Sequence, residues 1–308
     1  MEIALQFVLL ALGFVMLGKG ADWFVEGAAG IAMRFGIPQL VIGLTIVAMG
    51  TSAPEAAVSI AAAVKGNADI TIGNIVGSNI LNILVILGLA ASIVPIAVAR
   101  STVRIEIPFM IGVTALLFYQ GRDGSISLAD GGVLMVAFAV YMMYLYTMAM
   151  KSNVDSDLEE PGLPLGRCLL GAVGGLALII AGSNVTVGAA TSIATYAGLS
   201  ERFIGLTIVA LGTSLPELFT SVAAARRGNA DIAIGNIVGS NIFNILFVVG
   251  LSALIIDIPF ASAFNFDTYV ALGAAVLLWL CVLRTQRLQR WAGALMLVCY
   301  AAYLGYIL

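Results

Sequence analysis

The stretch GTSAPEAAVSIAAAVKGNADITIGNIVGSNILNILVILGLAA, residues 50–91, returns at residues 212–253 as GTSLPELFTSVAAARRGNADIAIGNIVGSNIFNILFVVGLSA. A shift of 162 residues aligns the copies without a gap from Gly43 on Gly205 to Ala91 on Ala253, and 35 of those 49 positions are identical. The match extends weakly upstream, where Gly20, Asp22, Ala28, Ile31 and Gly36 face Gly182, Asn184, Ala190, Ile193 and Gly198. Two copies this alike call for one architecture built twice. Each copy also carries one glutamate in an otherwise uncharged run, Glu55 and Glu217.

The runs around those glutamates are too apolar for a soluble domain. Of the 308 residues, 61% are hydrophobic and 10% charged, where a soluble domain carries about a quarter charged residues. Long apolar runs separated by short polar joints mark an all-α polytopic membrane protein. Ten segments are expected, roughly 2–28, 37–64, 69–98, 105–119, 125–148, 165–196, 200–225, 231–256, 267–283 and 289–308, most near or above the ~20 residues that span a bilayer. Several are long enough to require tilt or a break. The N-terminus lacks a basic leader and reads as a retained first span. The polar stretch KSNVDSDLEEPGLP divides the chain into a five-helix repeat at 1–150, a linker at 151–164 and a second five-helix repeat at 165–308.

Charge orients these spans. With the N-terminus outside, the inner joints hold Arg34, Arg100, Arg104, Lys151, Arg167, Arg226, Arg227, Arg284, Arg287 and Arg290, and the outer joints hold Lys65, Arg122 and Arg202. Ten against three favours both termini outside and a cytoplasmic linker. Five spans per half is an odd number, so the second copy enters from the opposite face. Two inverted-topology repeats then meet about a pseudo-two-fold axis in the membrane plane, the arrangement that places a substrate site at mid-membrane in secondary transporters.

In GLTIVAMGTSAPE, Pro54 lacks a backbone donor and suits the first turn of a new helix. The second span is therefore expected to break near Met49–Ala53, and the seventh likewise at its copy. The break frees carbonyls around Ala48 and brings Thr51, Ser52 and Glu55 to one point. Ala210, Thr213, Ser214, Pro216 and Glu217 repeat the pattern. In the next span Asn74, Ser78 and Asn82 recur every fourth residue on one helical stripe, and Asn236, Ser240 and Asn244 repeat it. Asn74 and Asn236 either tie helices together or touch an ion. Gly73 with Gly77, and Gly235 with Gly239, give a small-residue face for close packing.

Together these residues make an all-oxygen cage with two carboxylates. Such a cage suits hard cations, Na⁺, Ca²⁺ or Mg²⁺, and its charge of −2 balances one Ca²⁺ or two Na⁺. Protons are competitors. An ionisable group at mid-membrane costs at least ~2.5 kcal/mol, so Glu55 and Glu217 read as functional rather than structural.

Other polar features are less decisive. Lys19, Asp22 and Glu26 either line an ion path or snorkel to the cytoplasmic surface. Asp69 and Asp231 are expected to cap the two stripe helices, with cation attraction as a second role. Cys168, Cys281 and Cys299 have no ligand spacing and read as packing residues. The chain has no histidine, which removes histidine relays and HExxH zinc chemistry. No nucleophile–base pair points to an enzyme, no basic patch points to nucleic acid, and no cofactor or obligate protein partner is implied.

GTSAPE and GTSLPE, each followed by a GNIVGSNI segment, resemble the two alpha-repeats of the sodium/calcium exchanger family, within the cation/calcium antiporter superfamily. The resemblance covers nearly the whole chain, and the short acidic loop is of the prokaryotic type, which implies the cell membrane. It implies electrogenic antiport of Ca²⁺ against Na⁺ by alternating access, normally exporting Ca²⁺. Ca²⁺ would centre on Glu55 and Glu217 with the Thr51 and Thr213 carbonyls nearby. Na⁺ sites would use Ala48, Ser52, Ser78, Ala210, Ser214 and Ser240, with Asn82 and Asn244 completing the cage. The first and sixth spans would slide as the gate. Some members, the potassium-dependent branch among them, carry aspartate at the position of Asn244, so the resemblance argues against K⁺ co-transport and leaves the Na⁺ stoichiometry open.

Two alternatives remain. A Ca²⁺/H⁺ antiporter can use the same fold, though that branch resembles a motif of GNA followed by glutamate rather than GTS-x-PE. A passive cation channel is a different class, disfavoured by a single occluded site between inverted repeats.

Overall fold

A computed structural model describes residues 2–66, 69–151, 163–198 and 210–307. The chain runs as α1 (Glu2–Phe35), α2 (Gln39–Thr51), α3 (Ala53–Val64), α4 (69–93), α5 (Thr102–Asp123), α6 (Leu128–Lys151), α7 (Leu165–Tyr196), α8 (Ala210–Thr213), α9 (Leu215–Arg226), α10 (Ala230–Ile255), α11 (Ala263–Leu283) and α12 (Arg290–Ile307). Among the described residues eight helices are long and apolar enough to cross a bilayer, and α2 with α3, bent by 52°, makes a ninth. The first helix is longer than its apolar run, continuing past residue 28 to Phe35. Residues 200–209 of the seventh expected segment, and most of the acidic linker, lie outside the described residues.

The break in the second span is narrower than expected. It falls on Ser52 alone (φ −80°, ψ 5°), between α2 and α3, with Pro54 in the first turn of α3. Ser214 repeats it (φ −91°, ψ 3°) between α8 and α9. The expectation of a freed Ala48 carbonyl is corrected: the Ser52 N–H still reaches Ala48 O at 3.0 Å. The reason is register, because a helical Pro54 would have donated to Gly50, not Ala48. The chain bends here without unwinding.

Among the described residues four wide π-turns interrupt the helices, at Gly43–Val47, Asn82–Leu87, Thr102–Glu106 and Asn244–Val249. A π-turn adds one residue to the turn and re-aims the side chains that follow. Asn82 and Asn244 each open one.

Contacts between the halves are reciprocal under the 162-residue shift. Four two-residue strands form two antiparallel bridges. In one, β1 (Ile96–Ala97) pairs with β4 (Arg287–Leu288), Ile96 opposite Leu288; in the other, β2 (Ser125–Ile126) pairs with β3 (Ile258–Pro259), Ile126 opposite Ile258. Shifting either bridge by 162 gives the other. The loop bonds agree: Val98 N–H donates to Gln286 O and Phe260 N–H to Gly124 O, both at 2.8 Å. Gly124 and Gln286, which stand 162 apart, share a left-handed backbone (φ 98° and 50°). A glutamine tolerates that strain only where its surroundings fix the turn.

Glycines set the packing that brings the halves together. A Cβ on Gly239 would lie 2.8 Å from Leu44 Cα, and one on Gly235 3.1 Å from Gly43 Cα, so α2 lies directly on α10. That bears out the small-residue face in the second copy. In the first copy, the residues that would stand opposite Gly73 and Gly77 are 205 and 206, outside the described residues. A second glycine seam joins α1 to α7, where a Cβ on Gly20 would lie 2.9 Å from Gly175 O. α4 and α10 sit at the centre, their apolar side chains almost wholly buried.

Candidate ion-binding site

Each bend aims the first turn of a new helix at the centre of the molecule. Glu55 and Glu217, in the first turns of α3 and α9, are both 1% exposed. Neither meets a cation among the described residues, where the ion pairs are those of Arg227. Each is instead held by a serine from the other half. Ser52 Oγ donates to Glu217 Oε1 at 2.8 Å, and Ser214 Oγ donates to Glu55 Oε1 at 3.4 Å.

The stripes on α4 and α10 complete the wall. Asn74 Nδ2 donates to Ser59 Oγ (2.9 Å) and Glu55 O (3.3 Å), and Asn236 Nδ2 donates to Ser221 Oγ (2.9 Å) and Glu217 O (3.4 Å). These bonds make the expected tie between helices. Asn236 Oδ1 also accepts Thr51 Oγ1 at 3.0 Å. Ser240 is fully buried and donates to Ala48 O at 3.4 Å, so that carbonyl does face the centre, and Ser78 is buried at the equivalent place on α4. Thr213 is half-buried at the end of α8, and Ala210 opens that helix.

Two residues were not singled out from sequence, Asn79 and Asn241. Each donates from Nδ2 to the other's carbonyl oxygen at 3.2 Å, where α4 and α10 cross. Their side-chain oxygens in turn accept Asn244 Nδ2 (3.2 Å, on Asn79) and Asn82 Nδ2 (2.9 Å, on Asn241). The signal was present as N-x-x-N in each GSNI segment, but nothing in the spacing says which amide faces its twin. With their nitrogens engaged, Asn82 and Asn244 turn Oδ1 the other way.

Among the described residues, four buried oxygens in this region are left without a donor: Glu55 Oε2, Glu217 Oε2, Asn82 Oδ1 and Asn244 Oδ1. They are two pairs related by the 162-residue shift. All accept and none donates, and a buried polar atom without a partner is costly. The arrangement suits an electropositive guest with oxygen ligands.

Other expectations come out differently. Asp231 does not cap its helix: Asn229 holds the cap position and Asp231 lies in the first turn of α10, where its charge still favours the helix dipole. Asp69 opens α4, and its side chain lies outside the described residues. Asp22 and Glu26 pair at the surface with Arg227, at 3.3 and 3.2 Å. The sequence reading passed over one further buried acid, Glu106, fully inaccessible at the start of α5.

A helical bundle with reciprocal halves around a buried two-carboxylate centre is the arrangement of a polytopic membrane transporter. The comparisons give its family. The family profile described as "Sodium/calcium exchanger protein" matches residues 5–147 and 168–308. The sodium/calcium exchanger MaX1 of Methanosarcina acetivorans is 33% identical, covering 98% of both chains. The inner membrane protein YrbG of Escherichia coli is 41% identical over 80% of this chain and 79% of its own. Among solved structures, the sodium–calcium exchanger NCX_Mj, soaked with Na⁺ and Sr²⁺, superposes with a TM-score of 0.86 at 33% identity, covering 98% of this chain and 99% of that one. The chain belongs to the sodium/calcium exchanger family and is a multi-pass membrane protein.

Proposed function

We propose that the protein exchanges Na⁺ for Ca²⁺ by alternating access at the centre between its halves. The carrying observation is the set of four unpartnered oxygens on Glu55, Glu217, Asn82 and Asn244. Two carboxylates balance one Ca²⁺ or two Na⁺, and either load removes the cost of burying them. An empty cage leaves two like charges close together in low dielectric, which opposes crossing without cargo.

In this reading Glu55 and Glu217 bind Ca²⁺, with Thr51 and Thr213 beside them. Ser52, Ser214, Ser78, Ser240 and the backbone at Ala48 and Ala210 supply neutral oxygens for Na⁺. Asn82 and Asn244 close the cage. The fold is ten spans in two five-helix repeats of opposite orientation. The reciprocal bridges and hydrogen bonds support that arrangement, as does the second bend at Ser214. The excess of arginine and lysine in one set of joints supports a cell-membrane protein with both termini outside.

The test is flux into proteoliposomes. Na⁺ loaded inside should drive ⁴⁵Ca²⁺ uptake, and Glu55→Gln or Glu217→Gln should abolish it. Uptake driven equally well by a pH gradient without Na⁺ would make the protein a Ca²⁺/H⁺ antiporter. Ca²⁺ flux that needs no counter-ion would make it a channel.

A further inference from the structure

Glu106 is a buried carboxylate that the cation cage does not use. It ends the π-turn Thr102–Glu106 and is fully inaccessible. Its position in the other half is Thr268, so it has no acidic twin. The Tyr144 hydroxyl, on α6, donates to Glu106 Oε1. Among the described residues Glu106 Oε2 has no partner, and the buried hydroxyls of Thr102, on the same π-turn, and Tyr141, one turn before Tyr144, have none either.

The charged surroundings offer no neutralising group. On its own element Arg104 points to the surface. From α6 come only the two tyrosines. From α10, which packs against α5, the titratable group is Asp231, another acid. From α11, Trp279 Nε1 donates to Val103 O at 2.9 Å, and the titratable groups beyond it are the half-buried Cys281 and the exposed Arg284. Among the described residues no cation pairs with Glu106. A carboxylate sealed from water and without a cation is neutralised most simply by a proton.

We propose that Glu106, with Thr102, Tyr141 and Tyr144 around it, is a second site, apart from the cation cage, that binds one proton. The proton comes from water and sits on Oε2, converting the carboxylate to a carboxylic acid. Loss of the proton places a full negative charge in α5, which packs against α10. That helix carries Asn236, Ser240, Asn241 and Asn244, so deprotonation disturbs the cage from a distance. Exchange therefore falls in alkali for a reason lying outside the cage.

Two measurements test this. The first does not depend on the proposed exchange. In a Glu55→Gln/Glu217→Gln background the cage contributes no carboxyl signal. The infrared spectrum of that protein should contain a protonated-carboxyl stretch that Glu106→Gln removes and that Tyr144→Phe shifts by deleting the bond to Oε1. If Glu106→Gln instead removes a carboxylate band, or Tyr144→Phe shifts one, the site holds no proton and the proposal fails. Should Glu106→Gln not fold, the Tyr144→Phe shift alone decides. The second measurement rests on the proposed function. Na⁺-driven Ca²⁺ uptake should fall on the alkaline side in the wild type and lose that fall in Glu106→Gln, whose amide stays neutral. Identical alkaline limbs in the two proteins would overturn the coupling to α10.

Discussion

Ser52 donates its hydroxyl to Glu217 Oε1 at 2.8 Å, reaching from one half of the molecule to the acid of the other. The reciprocal bond from Ser214 to Glu55 is longer, 3.4 Å. Each carboxylate is thus oriented by the bend of the opposite half, and neither half holds a finished site. A hydrogen bond to a charged group contributes about 1.5–3 kcal/mol, and a weak, long one less. Ser52→Ala should therefore lower the apparent Ca²⁺ affinity by roughly tenfold or more. Ser214→Ala should do less. Concentration dependence of ⁴⁵Ca²⁺ uptake gives both values, and equal effects, or a larger one at Ser214, would contradict the unequal bonds.

Asn244 offers a second test, because its two side-chain atoms do different work. Nδ2 is committed to Asn79 Oδ1 and Oδ1 is free. In Asn244→Asp an oxygen replaces the donor and faces Asn79 Oδ1. At acid pH the new carboxyl keeps its proton and can donate as the amide did, so transport stays close to wild type. As pH rises it ionises, the cage gains a third negative charge, and each cycle needs one more positive charge to balance it. Charge moved per Ca²⁺, read as current across a supported membrane, should match wild type in acid and differ from it by one charge in alkali. A ratio that stays at the wild-type value across pH would show that this position lies outside the cage.

Much of this centre was legible because proline and glutamate are expensive inside a membrane and leave a mark. Pro54 and Pro216 announced the bends, and the duplication announced that there would be two. What was illegible depends on geometry that spacing does not carry. The π-turns at Asn82 and Asn244 leave the apolar pattern unchanged, yet they decide where each amide points. Asn79 and Asn241 were hidden in plain view, since an asparagine that meets its own twin looks in sequence like any other polar residue. Ala48 was misjudged by two residues of register. Asp231 does not cap because the helix opens already at Ala230, so Asn229 takes the cap position through its backbone and Asp231 falls in the first turn. Glu106 was missed because it follows Arg104 near a joint, where an acid reads as surface.

Close packing of α2 on α10 rests on glycine, and it can be tested without measuring transport. A Cβ at Gly239 would meet Leu44 Cα and Leu44 O at 2.8 Å, both backbone atoms, so no side chain can swing aside. Overpacking typically costs ~1–3 kcal/mol, more where only backbone can yield. Gly239→Val should lower the midpoint of thermal aggregation in detergent by several degrees or prevent recovery of folded protein. Gly112→Val, on the exposed face of α5 where a Cβ meets nothing within 4 Å among the described residues, should be milder. Similar losses at the two positions would show that glycine at 239 is not a packing requirement.

The ion pairs of Arg227 concern motion more than stability. All three side chains are exposed, between 36% and 47%, and surface pairs contribute only about 0–1 kcal/mol. Under the 162-residue shift their counterparts are Lys65, Asn184 and Gly188, so nothing equivalent forms at the opposite end. Packing follows the same asymmetry: α1 lies along α9, with Phe14 against Phe219 at 6.1 Å, whereas α7 makes few contacts with α3. A bias of even ~1 kcal/mol changes a two-state ratio about fivefold. Arg227→Gln should leave the unfolding midpoint almost unchanged while letting α1 leave α9 more often. Single cysteines read this once Cys168, Cys281 and Cys299 have been replaced by alanine. Ala61→Cys, on the exposed face of α3, should react readily with a water-soluble thiol reagent, and its counterpart Ala223→Cys, half-buried on α9, should react slowly. Adding Arg227→Gln should speed labelling at 223 severalfold and slow it at 61, because opening one mouth closes the other. Acceleration at both positions would mean general loosening, and no change at either would mean that the pairs do not hold the gate.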